Sequence, residues 1–215
     1  MARIALCTPH NGDVKAEFAF SLGKLLLHSG AHHELDLFAA RGSSIALNRM
    51  SIADNALKWG ADHLLWIDSD HIFPPDTLER LLRRNLDIVG CNQPRRGFGL
   101  PPTAVIVQQG QLRYVTTTKA EADADLVQHV HALGLGLCLI RSDIFRRMER
   151  PWFENWPGGE DSYFFAKLTK LGVPVYLDHA LSWQVGHIGD HVFTNADTVT
   201  AAEQRWIEGE PEATG

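Results

Sequence analysis

Short apolar runs alternate with helical patterns through the first 91 residues, and that rhythm limits the chain to very few architectures. Ile4-Ala5-Leu6-Cys7 stops at Thr8-Pro9-His10-Asn11-Gly12 and reads as a buried strand followed by a loop. Val14, Phe18, Leu22, Leu25 and Leu26 then recur at helical spacing up to Gly30. Leu35 to Phe38 is a second strand, followed by a loop with Arg41 and Gly42-Ser43-Ser44. Leu47 to Trp59 is a helix stopped by Gly60, and His63-Leu64-Leu65-Trp66-Ile67 is the clearest strand. Pro74-Pro75-Asp76 opens a helix through Leu78, Leu81 and Leu82, and Asp87 to Cys91 is a fourth strand. Strand–helix–strand repetition of this kind predicts a mainly parallel sheet with helices on both faces.

The remaining residues read differently. Ala104–Val107 and Leu112–Val115, separated by a Gly110 turn, predict an antiparallel hairpin, and 116–125 a mobile loop. Leu135 to Ile140 is a glycine-loosened strand and Asp143 to Met148 a short helix. Gly158-Gly159-Glu160-Asp161 precedes a helix with Phe164, Phe165, Leu168 and Leu171 inward. Val173–Leu177 and Leu181–Val185 read as two more strands. The chain of 215 residues is then one α/β domain over 1–207, with a nucleotide-binding half (1–100), an acceptor-binding half (101–207) and a flexible tail at 208–215.

Composition excludes several functions. The net charge of −6 argues against phosphate-backbone binding as the main task, although Arg95-Arg96 and Arg146-Arg147 keep a local basic patch open. No apolar stretch reaches the ~18 to 20 residues of a membrane helix, and the N-terminus does not read as a secretory signal. A cytoplasmic location without membrane insertion is the default. The three cysteines, Cys7, Cys91 and Cys138, are odd in number and lie in apolar runs, so they read as buried strand residues.

Four constellations carry chemistry. Asp68-Ser69-Asp70 follows an apolar strand, where ligands of parallel α/β sheets bind. Its two carboxylates share one side of an extended segment and repel unless a cation neutralises them, which suits Mg²⁺ or Mn²⁺ with phosphate oxygens; a solvated turn is the plainer reading. Glu160 and Asp161 at a helix start suit either a dipole-stabilised cap or a general base beside an acceptor hydroxyl. His187, after Val185-Gly186, ends a strand and could give Mn²⁺ a nitrogen ligand. Arg41, Arg49, Arg95 and Arg96 are candidate diphosphate partners. Gly134 and Gly136 either flank an acceptor channel or relieve packing, and Trp152 and Trp156 are either sugar platforms or core residues.

In this order and spacing, Ile4–Pro9, Leu47-Asn48-Arg49, Leu64–Asp70, Gly134–Ser142, Gly159-Glu160-Asp161 and Gly186-His187 resemble GT-A fold glycosyltransferases. The likeness is to glycosyltransferase family 2-like proteins of small bacterial or phage type, with some likeness to mannosylglycerate synthase. The resemblance implies a single GT-A domain with a Rossmann-like, mainly parallel sheet and a metal-dependent, hexosyltransferase-type activity. The donor would be a nucleotide-diphosphate sugar, UDP- or GDP-linked, with Mn²⁺ or Mg²⁺ as cofactor. Thr8 and Pro9 would border base and ribose, and Arg49 the base or diphosphate. Asp68, with Ser69 beside it, would lie near the ribose and donor sugar and count with the metal group. Asp70 and His187 would ligate the metal, and Asp161 or Glu160 would serve as base on the acceptor side. Asp161 as base implies inversion, whereas the mannosylglycerate synthase likeness implies retention. The chain lacks the Gln/Arg element and membrane segments of longer family 2 enzymes, so processive export is not expected. The acceptor is left open, nucleic acid being disfavoured by charge, and so is assembly as a homo-oligomer. Rival readings are a metal-dependent phosphohydrolase, a nucleotidyltransferase (disfavoured because Thr8–Asp13 is no glycine-rich basic loop) and a degenerate scaffold that binds nucleotide sugars.

Overall fold

The computed structural model describes residues 1–198; the tail expected at 208–215 and the last residues of the acceptor half lie outside the described residues. Strand β1 (Arg3–His10) leads to helix α1 (Ala16–Ser29), β2 (Glu34–Arg41), α2 (Ile45–Trp59) and β3 (His63–Ile67). Then come β4 (His71–Ile72), α3 (Thr77–Arg84), β5 (Ile88–Gly90) and the hairpin β6 (Val105–Gln108) and β7 (Gln111–Tyr114). Helix α4 (Lys119–Asp123), β8 (Val127–Val130), β9 (Leu137–Arg141), α5 (Ser142–Arg147) and α6 (Glu160–Lys170) follow. The series ends with β10 (Val175–Asp178), α7 (His179–Ser182), β11 (Gly186–Ile188), β12 (Val192–Phe193) and a 3₁₀ turn at Asn195–Asp197.

Seven strands form the main sheet in the order β2-β1-β3-β9-β5-β10-β8. Five of them (β1, β2, β3, β5, β10) run one way, while β9, between β3 and β5, and edge strand β8 run against them. The apolar runs are continuous because both faces of the sheet are covered. Ala5, Cys7, Leu64, Trp66, Cys138 and Ile140 point to a core shared with α2, α5 and α6. Ile4, Leu6, Leu65, Ile67, Leu137 and Leu139 alternate to the opposite core, with α1 and α3. All three cysteines are buried and free, and burial pushes the Cys7 and Cys91 thiols well up.

Several local expectations change. Strand β1 runs on through Thr8, Pro9 and His10, paired with Ala39, Ala40 and Arg41 of β2. Its pairing with β3 ends at Cys7, so Pro9 sits on a free edge, where a missing N–H is tolerated. Arg41 is accordingly a strand residue. The expected loop at 116–125 contains α4, started by a capping box between Thr118 and Glu121. The run Leu181–Val185 is no strand: Asp178 caps the N–H of Leu181 and turns the chain into α7, and the strand comes later, as β11. Leu171 is 45% exposed as the last residue of its helical turn, not inward. Val14 precedes α1 and is exposed.

Candidate functional site

Because β1, β3 and β5 run parallel, their carboxyl ends open on one side of the sheet, and β9 begins there. A cavity of about 990 Å³ occupies that edge. Its wall includes Pro9 and His10 from β1, Asp68, Ser69, Asp70 and His71 after β3, and Gln93 to Arg96 after β5. Gly134, Gly136, Asp161 and His187 also line it.

The turn after β3 is held by its backbone. Asp68 N–H donates to Gly136 O (3.0 Å), His71 N–H to Asp68 O (3.2 Å) and Ile188 N–H to Asp70 O (2.7 Å). Strand β4 pairs antiparallel with β11, which sets His71 opposite His187. Their rings stack with centroids 4.5 Å apart. Asp70 Oδ1 lies 3.2 Å from His71 Nδ1, and Asp70 Oδ2 3.4 Å from His187 Nε2. One ligand atom from each of Asp70, His71 and His187 falls within 4.8 Å of the others. Burial pushes the His71 imidazole down to about 4, and burial also lowers His187, so both rings are neutral nitrogen donors. Gly136 is the floor of this group: a Cβ there would sit 2.7 Å from His71 Cε1 and 3.2 Å from Asp68 Oδ2.

Beneath the floor lies a second charged group. Arg49 on α2 is 1% exposed. Its Nη2 donates to Asp68 Oδ1 (3.0 Å) and its Nε to Glu160 Oε1 (2.9 Å), and Nε is 3.7 Å from Asp161 Oδ1. The guanidinium also lies over Trp66, 5.3 Å from the ring centroid. Burial disfavours its charge, but Asp68, Asp161 and Glu160 outweigh that and raise its pKa. Arg49 is therefore not part of the cavity wall, because three carboxylates hold its guanidinium below. Burial alone would raise Glu160, yet the charge and hydrogen bond of Arg49 hold its carboxyl below the usual range. Asp161 behaves oppositely. Burial pushes its carboxyl up to about 8, with Glu160 and Asp68 adding to the shift and Arg49 opposing it. Its Oδ2 accepts the Leu135 N–H (3.0 Å), while its buried Oδ1 makes no hydrogen bond.

The residues singled out in the sequence thus divide. Pro9, Ser69, Asp68, Asp70, Asp161 and His187 meet at the cavity. Thr8 is buried with its hydroxyl unbonded and is not part of the wall. Glu160 turns under the floor to Arg49. Asp68 is not among the three residues whose ligand atoms converge, and its Oδ1 accepts from Arg49 while Oδ2 lies beside Gly136. Trp152 is a core residue against Phe145, whereas Trp156 is 51% exposed beside Tyr163. His71 completes the group and was not singled out, although it directly follows Asp70.

No protein-family model and no curated protein sequence matches the chain. Among solved structures it is similar to A197 from STIV, with a TM-score of 0.61 and 19% identity over 92% of each chain. It is also similar to a Drosophila β-1,4-galactosyltransferase 7 mutant in complex with manganese, UDP-Gal and xylobiose. That match has a TM-score of 0.50 and 15% identity, over 100% of this chain and 76% of the other. The fold is a single GT-A-like α/β domain. Among the described residues, no helix is long and apolar enough to cross a membrane.

Proposed function

We propose that the protein is a metal-dependent glycosyltransferase that moves a sugar from a nucleotide-diphosphate donor to an acceptor hydroxyl. One observation carries the reading: Asp70, His71 and His187 converge at the strand-end cavity, with Asp161 on the same wall. The galactosyltransferase neighbour, solved with manganese and UDP-Gal, supports a scaffold of this kind.

The donor set fits a divalent ion. His187 Nδ1 donates to Pro94 O (2.9 Å), which fixes the tautomer and leaves the Nε2 lone pair toward Asp70. One carboxylate and two neutral imidazoles suit Mn²⁺ better than Mg²⁺, which prefers oxygen ligands. Bound there, the ion would neutralise charge that develops on the departing diphosphate. The remaining work falls to the chain's own groups. Arg49 fixes Asp68 from below, so the free Asp68 oxygen stays beside Gly136 on the cavity side. Asp161, held by the Leu135 N–H, is the carboxyl on the cavity wall that would take up a hydroxyl proton. A carboxyl poised at about 8 is well matched to that task near neutral pH. Glu160 is not the base in this reading, because Arg49 keeps it ionised under the floor.

Product analysis tests the proposal. The protein is incubated with Mn²⁺ and UDP-, GDP-, CDP- or TDP-sugars, with and without mono- and disaccharide acceptors. The reading expects a nucleoside diphosphate as product, formed only with Mn²⁺ and faster with an acceptor. A nucleoside monophosphate with a sugar phosphate would instead make the protein a phosphohydrolase.

A further inference from the structure

Two of the three groups assigned to the cation are already engaged by a neighbouring side chain. Arg96 Nη2 contacts Asp70 Oδ2, and Arg96 Nε donates to His187 Nε2 (3.1 Å). We propose that Arg96 is a built-in rival of the divalent cation, which holds Asp70 and His187 until metal and diphosphate arrive together and then passes to the diphosphate. The inference rests on the cation assignment above and adds an order of binding to it.

Lone-pair accounting carries the argument. His187 Nδ1 is a donor to Pro94 O, so Nε2 has one lone pair and no proton. A guanidinium does not give up its protons, so its Nε–H points into that lone pair. Asp70 Oδ2 is used in the same way by Nη2. A metal ion on Asp70 and His187 needs these same electron pairs, so the two cations exclude one another. Sharing would also crowd three positive charges against one carboxylate.

Arg96 is placed to leave. Its side chain is 49% exposed. It lies on a segment, 91–104, with no helix or strand between β5 and β6, and Gly97 follows it directly. Its stem runs past the bare Cα of Gly189, where a Cβ would meet Arg96 Cδ at only 3.4 Å. Arg96 already belongs to the cavity wall, so a rotation about its stem keeps the guanidinium where diphosphate oxygens would lie. Planar, bidentate donors suit that exchange of a carboxylate for a phosphate. Metal alone then binds weakly, and metal and nucleotide strengthen one another reciprocally.

The test is titration of MnCl₂ into metal-free wild-type protein and Arg96→Ala, followed by UDP and GDP at saturating Mn²⁺. Without nucleotide, Arg96→Ala should bind Mn²⁺ about two- to fivefold tighter, the worth of a half-exposed ion pair removed as competitor. With Mn²⁺ saturating, the same variant should bind the nucleotide about tenfold more weakly, for loss of a charged hydrogen-bond donor. These opposite signs separate a rival from a support. Equal or weaker Mn²⁺ binding by Arg96→Ala overturns the inference. So does nucleotide affinity that does not fall. Mn²⁺ binding by neither protein overturns the cation assignment itself, and this inference with it. Unfolding curves of both proteins confirm that Arg96→Ala is folded.

Discussion

Replacing Arg49 with methionine should expose what the buried guanidinium does. The substitution roughly keeps the volume over Trp66 but removes the cation that Asp68, Glu160 and Asp161 share. Arg49 is 1% exposed, so solvent cannot replace it. Stripping one partner from a buried ion pair costs about 3–5 kcal/mol. For a domain of this size that is a fall of about 6–20 °C in Tm, at about 2–4 °C per kcal/mol. The sign of the pH dependence is fixed as well. Without Arg49 the main force opposing the effect of burial on Glu160 and Asp161 is gone, so their folded pKa values lie above their unfolded ones, and their penalty grows as pH rises and fades as they protonate. Scanning calorimetry at about pH 8 and about pH 5 should therefore show a large deficit that shrinks in acid. A Tm within about 2 °C of wild type, or a deficit that does not change with pH, would refute the buried-counterion account.

Three further outcomes follow from the geometry. Asp161→Asn keeps the Leu135 N–H bond and mimics the protonated acid, so nucleotide binding should persist while sugar transfer is lost; full turnover would reduce Asp161 to a helix cap. Because the folded pKa of Asp161 is raised to about 8, the neutral carboxyl favours the folded state most at acid pH. That advantage declines as pH rises toward 8, so Asp161→Asn should gain stability relative to wild type over this window, and parallel Tm–pH curves would count against the shift. Gly136→Ala drives a methyl against His71 Cε1 at 2.7 Å, and calorimetric titration should show Mn²⁺ affinity falling about tenfold or more through the displaced ligand; unchanged affinity would remove His71 from the group.

Much of this site was legible because it is local. The apolar run Leu64–Ile67 ending in Asp68-Ser69-Asp70 fixes both a buried strand and the carboxylates beyond it. The alternation of strands and helices fixes which end of the sheet is open. What stayed hidden depends on contacts across the chain. Arg49 meets Glu160 over 111 residues, and nothing in Asn48-Arg49 announces three partly buried carboxylates. His71 is brought to His187 only by the pairing of β4 with β11, two strands too short to show a period. Other misses had a readable signal. Thr118 and Glu121 have capping-box spacing, and Asp178 before His179–Ser182 is an N-cap. In both places the cap decides, because so short a stretch does not by itself distinguish strand, helix and loop.

The most direct measurement is thermal unfolding with UDP and GDP, each with and without Mn²⁺, in wild type, Asp70→Ala and His187→Ala. At a nucleotide concentration about a hundred times Kd, binding adds about 2.7 kcal/mol, or about 5–11 °C of Tm. The account predicts that shift for one nucleotide in wild type, only when Mn²⁺ is present, and its loss in both variants. A shift of the same size without Mn²⁺, or one that survives in Asp70→Ala and His187→Ala, would contradict it.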